Sequence, residues 1–269
     1  MMQAILFDLD GVLYQDDRPI PGAAEVLAWV REQHIPHCFL TNTTSRPRSA
    51  IVAKLRAMGI AVAEQEVLTP PLAAAHWLRS AGRQRLALFA TTTTADDFKG
   101  FTLVDDGGEV DAVVVGDLGE QWDFATMNRA FRLLMSETAP PLLALAMTRY
   151  WQSGTGLRLD AGPFIKALEY ATGREAVVLG KPAAHYYQIA LAQLGVTPQQ
   201  TLMIGDDIRG DIEGAQRLGM KALLVRTGKF RPADLELGIQ PAGVLDSIAE
   251  LPRWWRDYSG NGSSPAQAL

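Results

Sequence analysis

The sequence predicts an α/β protein: a doubly wound core on a parallel sheet, interrupted by a smaller inserted α/β domain. Three observations carry that expectation. Short apolar runs alternate with helix-like segments along the chain, the pattern that places parallel strands between crossover helices. The chain has 269 residues, which is between one and two domains at roughly 150 residues each. The middle of the chain carries strand and helix candidates of its own, enough material for a separate small domain.

The first run, Ala4-Ile5-Leu6-Phe7, reads as a strand. A helix follows from Gly22 to Glu32, because Ala23, Val26, Leu27 and Val30 recur at helical spacing. Cys38-Phe39-Leu40 is the next strand, and the helix after it runs through Ile51, Leu55 and Met58 to a stop at Gly59. In the middle, Leu86 to Ala90, Ala112 to Val115, Leu142 to Ala146 and Val177 to Leu179 read as strands, with helices near 124–135 and 162–172. Thr201-Leu202-Met203-Ile204 and Ala222-Leu223-Leu224-Val225 resume the first scheme around a helix holding Ile212, Ala215 and Leu218. The Gly/Ser-rich stretch from Tyr258 to Pro265 reads as a mobile tail.

Composition narrows the function. Hydrophobic residues are 48% and charged residues 20% of the chain, too apolar for a disordered protein. The 25 Lys plus Arg against 30 Asp plus Glu leave a net charge of −5, so no basic field points to a nucleic-acid polymer. A phosphorylated partner must be held by placed groups. Cys38 is the single cysteine, and His34, His37, His76 and His185 lack ligand spacing, which speaks against disulfides, structural zinc and a histidine-built metal site. The start Met1-Met2-Gln3-Ala4 has no basic leader, and no apolar run approaches a membrane span. The expected setting is reducing and cytoplasmic, with no membrane partner, so the sequons at Asn42 and Asn261 read as chance matches.

Four sites fall where apolar runs stop. Asp8-Leu9-Asp10-Gly11 sets two carboxylates two residues apart, on one side of an extended chain, where one can attack while the other handles a proton. Thr41-Asn42-Thr43-Thr44-Ser45 offers hydroxyls, an amide and backbone N–H groups suited to phosphoryl oxygens; Ser45 is equally a candidate cap for the next helix, with Pro47 in its first turn. Gly180-Lys181-Pro182 aims one ammonium at a strand–helix junction. In Gly205-Asp206-Asp207-Ile208-Arg209-Gly210-Asp211, three acids cluster, and carboxylates at close range repel unless a hard cation shares them. Asp211 alone also suits a helix N-terminus.

In this order, the four sites resemble the motifs of the haloacid dehalogenase superfamily of phosphohydrolases, with a Rossmann-like core. The segment between Asn42 and Lys181 resembles the α/β cap of subfamily IIA, which contains the NagD-like nucleotidases. Arg149-Tyr150-Trp151, Gly156-Leu157, Ala167-Leu168-Glu169-Tyr170-Ala171 and Val225-Arg226-Thr227-Gly228-Lys229-Phe230-Arg231-Pro232 look most like the phospholysine phosphohistidine inorganic pyrophosphate phosphatase branch.

The resemblance implies a discontinuous catalytic core over 1–81 and 179–269 and a cap over 82–178. It implies Asp8 as nucleophile and Asp10 as general acid and base. Mg2+ would be held by Asp8, the main chain of Asp10 and Asp206, with Asp207 and Asp211 orienting that shell. Thr41, Asn42 and Lys181 would bind the phosphoryl group. Arg149, Tyr150, Trp151 and Asp160, placed in an irregular stretch before the last cap helix, are the candidates for substrate choice, although an Arg beside Tyr and Trp also suits ordinary packing or a subunit contact. The expected substrate is a phosphate monoester, a phosphoramidate such as phosphohistidine or phospholysine, or pyrophosphate, and the expected assembly is a homodimer through the cap. A sugar-phosphate or nucleotide phosphatase of the same fold, or a slow phospho-acceptor module, are the alternatives. A dehalogenase of this fold needs neither Asp10 nor the Asp206 cluster.

Overall fold

The computed structural model describes residues 2–105, 108–153 and 156–260. The tail positions Asn261 to Pro265 lie outside the described residues, and so does the side chain of Trp151.

The chain opens with β1 (Ala4–Asp8), the short pair β2 (Tyr14–Gln15) and β3 (Arg18–Pro19), α1 (Ala23–Glu32), β4 (His37–Leu40), α2 (Arg48–Ala57), β5 (Val67–Leu68) and α3 (Pro70–Ser80). It continues with β6 (Arg85–Phe89), β7 (Thr102–Leu103), β8 (Ala112–Val115), α4 (Phe124–Leu134), β9 (Leu142–Ala144), β10 (Tyr150–Ser153), β11 (Gly156–Leu159), α5 (Ala161–Thr172) and β12 (Val177–Val178). Last come α6 (Ala184–Leu194), β13 (Thr201–Gly205), a π-helical turn (Ile208–Glu213) running into α7 (Gly214–Arg217), β14 (Lys221–Val225), β15 (Gly243–Leu245) and α8 (Leu251–Gly260). The helix expected around Ile212, Ala215 and Leu218 is therefore half π-turn, and Leu218 closes it as its C-cap.

The chain divides into two compact units. The first comprises Met1–Leu40, Val52–Val67 and Tyr187–Leu269; the second comprises Thr41–Ile51 and Leu68–Tyr186. The six-stranded sheet has the order β15-β14-β13-β1-β4-β5. Read from β5, chain order runs outward in both directions from β1 and β13, the arrangement that leaves a topological switch point between two central strands. All five residues of β1 and all five of β13 are buried, which is why both read as unbroken apolar runs rather than alternating ones. Their register is parallel, with Phe7 opposite Ile204, so both strands end at one edge of the sheet.

The second unit is built on a parallel sheet of order β12-β9-β8-β6-β7. Its core gathers Phe89, Val113, Val115, Leu134, Leu142, Ile165 and Leu168. Trp122 stacks between Phe89 (6.0 Å between ring centres) and Phe164 (4.8 Å).

Where the sequence suggested an irregular stretch before α5, the structure has an antiparallel pair, β10 with β11, Tyr150 opposite Leu159 and Ser153 opposite Gly156. Strands this short carry little pattern: Leu157 and Leu159, alternating with Arg158, point to solvent and stay exposed.

Candidate active site

The acidic site grows from the carboxyl ends of β1 and β13. Asp8 is the last residue of β1 and is buried, and Asp206 follows the last residue of β13 and is 1% exposed. Asp211 is fully buried in the π-turn. That turn forms because the Asp207 carboxylate takes the N–H groups of Arg209 (3.0 Å) and Gly210 (2.8 Å), while the Asp207 carbonyl accepts from Asp211 N–H (2.9 Å). Tyr187, buried, donates its hydroxyl to the Gly210 carbonyl at 2.7 Å and pins the turn from α6. A π-turn of this kind turns one side chain out of α-helical phase, a device common at functional sites. Here the side chain is Asp211, whose Oδ2 accepts the Asp207 N–H at 3.1 Å.

One carboxylate oxygen from each of Asp8, Asp206 and Asp211 lies within 4.8 Å of the other two. Two glycines make room for them. A Cβ on Gly205 would overlap the Asp211 side chain, and one on Gly11, which sits at φ +79°, would overlap the Asp206 carboxylate. Gly11 satisfies the left-handed backbone and the close approach together. The two Asp-Gly and Gly-Asp dipeptides are therefore steric requirements of one cluster.

The electrostatics suit a cation. Burial first, then the charges of Asp8 and Asp211, push the Asp206 carboxyl up to about 8, against the Lys229 N–H and ammonium. Asp206 Oδ2 accepts the Lys229 N–H at 2.7 Å, while Oδ1 is buried with no hydrogen-bond partner among the described residues. An orphaned buried carboxylate oxygen facing two further carboxylates is unfavourable unless a positive charge shares them. An octahedral ion with oxygens at about 2.1 Å separates its ligands by about 3.0 and 4.2 Å, the scale of this cluster. With oxygen donors alone, the set fits a hard divalent cation and not a soft one. Asp10 is raised as well, by burial and then by Asp8, with Lys229 and Lys54 opposing.

Lys229 stood in the sequence only as part of the Val225–Pro232 resemblance, with no role assigned to it. It follows β14, another strand of the same sheet, its N–H bonds Asp206, and its Nζ stands 3.6 Å from Asp207 Oδ2. The glycine before it in Thr227-Gly228-Lys229, at a strand end, was the available signal. The Thr227 hydroxyl donates to the Gly11 carbonyl, tying this loop to the one after β1.

Thr41, Asn42 and Lys181 belong to the second unit. Thr41 follows Leu40, the register partner of Asp8. Its N–H donates to Tyr186 Oη at 3.2 Å, its Oγ1 accepts from Thr43 N–H at 3.1 Å, and the Tyr186 hydroxyl bonds the Leu68 carbonyl at 2.6 Å. The Asn42 side chain grips the Lys181 backbone twice: Nδ2 donates to its carbonyl at 2.9 Å, and Oδ1 accepts its N–H at 2.7 Å. Lys181 is buried, its peptide bond to Pro182 is cis, and α6 starts two residues beyond that proline. Asn42 thus fixes the lysine backbone. The α2 N-terminus is capped by Asp97, which takes the Arg48 N–H at 3.3 Å, where the sequence offered Ser45.

Of the four substrate-choice candidates, Arg149 lies over the Tyr150 ring at 5.9 Å, and Tyr150 is exposed. Asp160 caps α5, accepting Ala161 N–H at 2.6 Å, and burial raises its carboxyl, with Asp117 adding to the shift. Trp151 enters through its backbone, paired with Arg158.

The family model described as haloacid dehalogenase-like hydrolase matches residues 5–102, and a second, described as HAD-hydrolase-like, matches 178–251. The chain is 38% identical over 254 residues to the human (Homo sapiens) phospholysine phosphohistidine inorganic pyrophosphate phosphatase, covering 93% of this chain and 92% of that one. Among solved structures it resembles the p-nitrophenyl phosphatase from Archaeoglobus fulgidus, with TM-score 0.87, 26% identity, and coverage of 94% and 99%. It also resembles the glycerol phosphate phosphatase from Mycobacterium tuberculosis in complex with calcium, with TM-score 0.80, 27% identity, and coverage of 93% and 74%.

Proposed function

The chain belongs to the haloacid dehalogenase-like hydrolases, and from that premise we propose that it is a magnesium-dependent phosphatase working through an aspartyl phosphate on Asp8. The observation that carries the reading is the buried cluster of Asp8, Asp206 and Asp211, with its orphaned Asp206 oxygen.

Asp8 and Asp206 would hold the cation through their carboxylates and Asp10 through its main chain; Asp211, whose carboxylate lies in the cluster with those of Asp8 and Asp206, would join or orient that set. When bound, the divalent cation neutralises charge on the phosphoryl oxygens and the nucleophile. The need is large, since a carboxylate and one phosphoryl charge 4 Å apart repel by about 4 kcal/mol at an effective dielectric near 20.

Asp8 attacks phosphorus, and the P–O or P–N bond to the leaving group breaks as Asp10 gives that group a proton. Asp10 then takes a proton from the water that opens the acyl phosphate. A carboxyl raised by burial and by Asp8 suits the donating step. Thr41 and Asn42 hold phosphoryl oxygens, and Lys181 balances their charge.

For substrate, the name of the human relative supports phosphohistidine, phospholysine and inorganic pyrophosphate ahead of sugar phosphates and nucleotides. The test is phosphate release from p-nitrophenyl phosphate, pyrophosphate and phosphohistidine, with magnesium or a chelator, by wild type and Asp8→Asn. The expected loss in the variant is about 10⁴-fold or more. Comparable turnover by Asp8→Asn overturns the assignment, and an acyl phosphate that survives for minutes identifies a phospho-acceptor instead.

A further inference from the structure

The loop Thr41–Arg48 is held in place by a turn some fifty residues away in the chain. Ala90-Thr91-Thr92-Thr93-Thr94-Ala95-Asp96-Asp97, after β6, meets it at three points. The buried Thr94 hydroxyl donates to the Thr44 carbonyl at 2.7 Å, the Thr93 hydroxyl to the Ser45 carbonyl at 3.2 Å, and the Asp97 carboxylate accepts the Arg48 N–H at 3.3 and 3.4 Å. Thr91 Oγ1 lies within hydrogen-bond distance of both Thr93 Oγ1 (3.1 Å) and Thr94 Oγ1 (2.9 Å), and since those two hydroxyls spend their protons on carbonyls, its single proton serves one of them at a time. Thr44 and Thr94 are both buried, so the Thr44 carbonyl depends on the Thr94 hydroxyl for its donor. The Arg48 N–H is among the first donors of α2, which the helix itself leaves unbonded.

We propose that Thr94 and Asp97 are positioning residues: they fix the backbone of the loop that holds the phosphoryl group, and thereby set substrate affinity. The inference rests on the reading of Thr41 and Asn42 as phosphoryl-binding residues and deepens it. Neither Thr94 nor Asp97 needs to touch substrate. What they supply is order: a loop fixed before binding spares the substrate the cost of ordering it.

The experiment compares Thr94→Val, Thr94→Ser, Asp97→Ala and Asp97→Asn in the full chain, with p-nitrophenyl phosphate as substrate and inorganic phosphate as competitive inhibitor. Valine keeps the shape and leaves the Thr44 carbonyl unbonded, a loss expected to raise KM and weaken phosphate inhibition by about 5- to 50-fold while kcat stays within about twofold. Serine keeps the hydroxyl and restores both constants. Asp97→Ala follows Thr94→Val, and Asp97→Asn, which retains an acceptor oxygen, falls between it and wild type. Should Thr94→Val fail to fold, the Asp97 pair carries the same comparison.

Unchanged KM and phosphate inhibition in Thr94→Val and Asp97→Ala overturn the proposal, as does a fall in kcat at constant KM. The two readings fail separately: activity in Asp8→Asn removes the catalytic assignment, whereas an inactive Asp8→Asn beside an indifferent Thr94→Val removes only the brace.

Discussion

Both units of the molecule stand on parallel sheets and both use aspartates to hold backbone N–H groups, yet among the described residues only the first also packs carboxylates against one another. In the second unit Asp97, Asp111, Asp117, Asp123 and Asp160 each accept a backbone N–H, from Arg48, Gln84 and Arg85, Gly119, Thr126 and Ala161. These are caps and struts, the ordinary use of a short acidic side chain. In the first unit Asp8, Asp206 and Asp211 are buried and converge on one another, and that crowding pushes the Asp206 carboxyl up. An aspartate at a strand end is therefore not a site by itself. What distinguishes the proposed site is carboxylates packed against carboxylates, an arrangement that costs local stability unless a cation shares them.

The largest effect that would break this contrast comes from adding a single methyl group. In Gly205→Ala the new Cβ overlaps Asp211, a buried side chain in a turn that cannot yield. In Gly116→Ala, a glycine of the second unit that follows β8, the new Cβ meets the tip of Leu145 at 2.9 Å, which a flexible side chain can relieve. Displacing a catalytic group by about an ångström costs about 10²-fold in rate. Gly205→Ala should lose at least that much kcat/KM on p-nitrophenyl phosphate, and Gly116→Ala should stay near wild type. Equal losses would show that the packing around the acidic cluster has no special role.

A smaller effect concerns stability in the protein stripped of metal by a chelator. With the folded carboxyl raised to about 8 from an ordinary value of 3.8, the stabilisation from the protonated form of Asp206 is full below about pH 4 and is lost as pH rises through about 8. Asp206→Asn removes that dependence. At pH 8 the chelated variant should melt higher than the chelated wild type, by a gain of about 1–3 kcal/mol at about 2–4 °C per kcal/mol. The gap should narrow as pH falls and close toward about pH 4, and activity should vanish at every pH. A variant that melts lower at pH 8 would mean that Asp206 is satisfied without a cation, and the contrast between the units would fall.

The same contrast explains what could be read in advance. Strands β1 and β13 were visible because both faces are buried and the apolar run ends abruptly at Asp8 and before Asp206. Helix α1 was visible because Ala23, Val26, Leu27 and Val30 make its buried stripe. The participation of Asp211 in the cluster was less visible, since it depends on a π-turn set by Asp207 and on the space left by Gly205. The brace on Thr41–Arg48 was invisible: Thr94 and Asp97 act through hydrogen bonds across 50 and 49 residues, and such bonds leave no periodicity. The β10–β11 pair escaped for a related reason, being too short and too exposed to carry a burial pattern. Apolar burial writes itself into sequence as a repeat; long-range polar pairing does not.

The smallest test asks whether the second unit's carboxylates are struts and nothing more. Asp111 takes the N–H groups of Gln84 at 2.7 Å and Arg85 at 2.8 Å, tying the loop before β8 to the start of β6. Those two donors, Arg85 first, hold its carboxyl below 3.8. A carboxyl lowered in the folded state stabilises above the unfolded value, and the benefit is lost as pH falls through the folded one. Because Asp111 is largely solvated, the effect is screened to about 0.5–1 kcal/mol. Asp111→Asn should therefore lower Tm by about 1–3 °C at pH 7. The difference should shrink below about pH 4, where the wild-type carboxylate takes up its proton. Turnover of p-nitrophenyl phosphate should stay unchanged. A loss of activity without a loss of Tm would give this carboxylate a role beyond holding backbone and erase the division of labour between the two units.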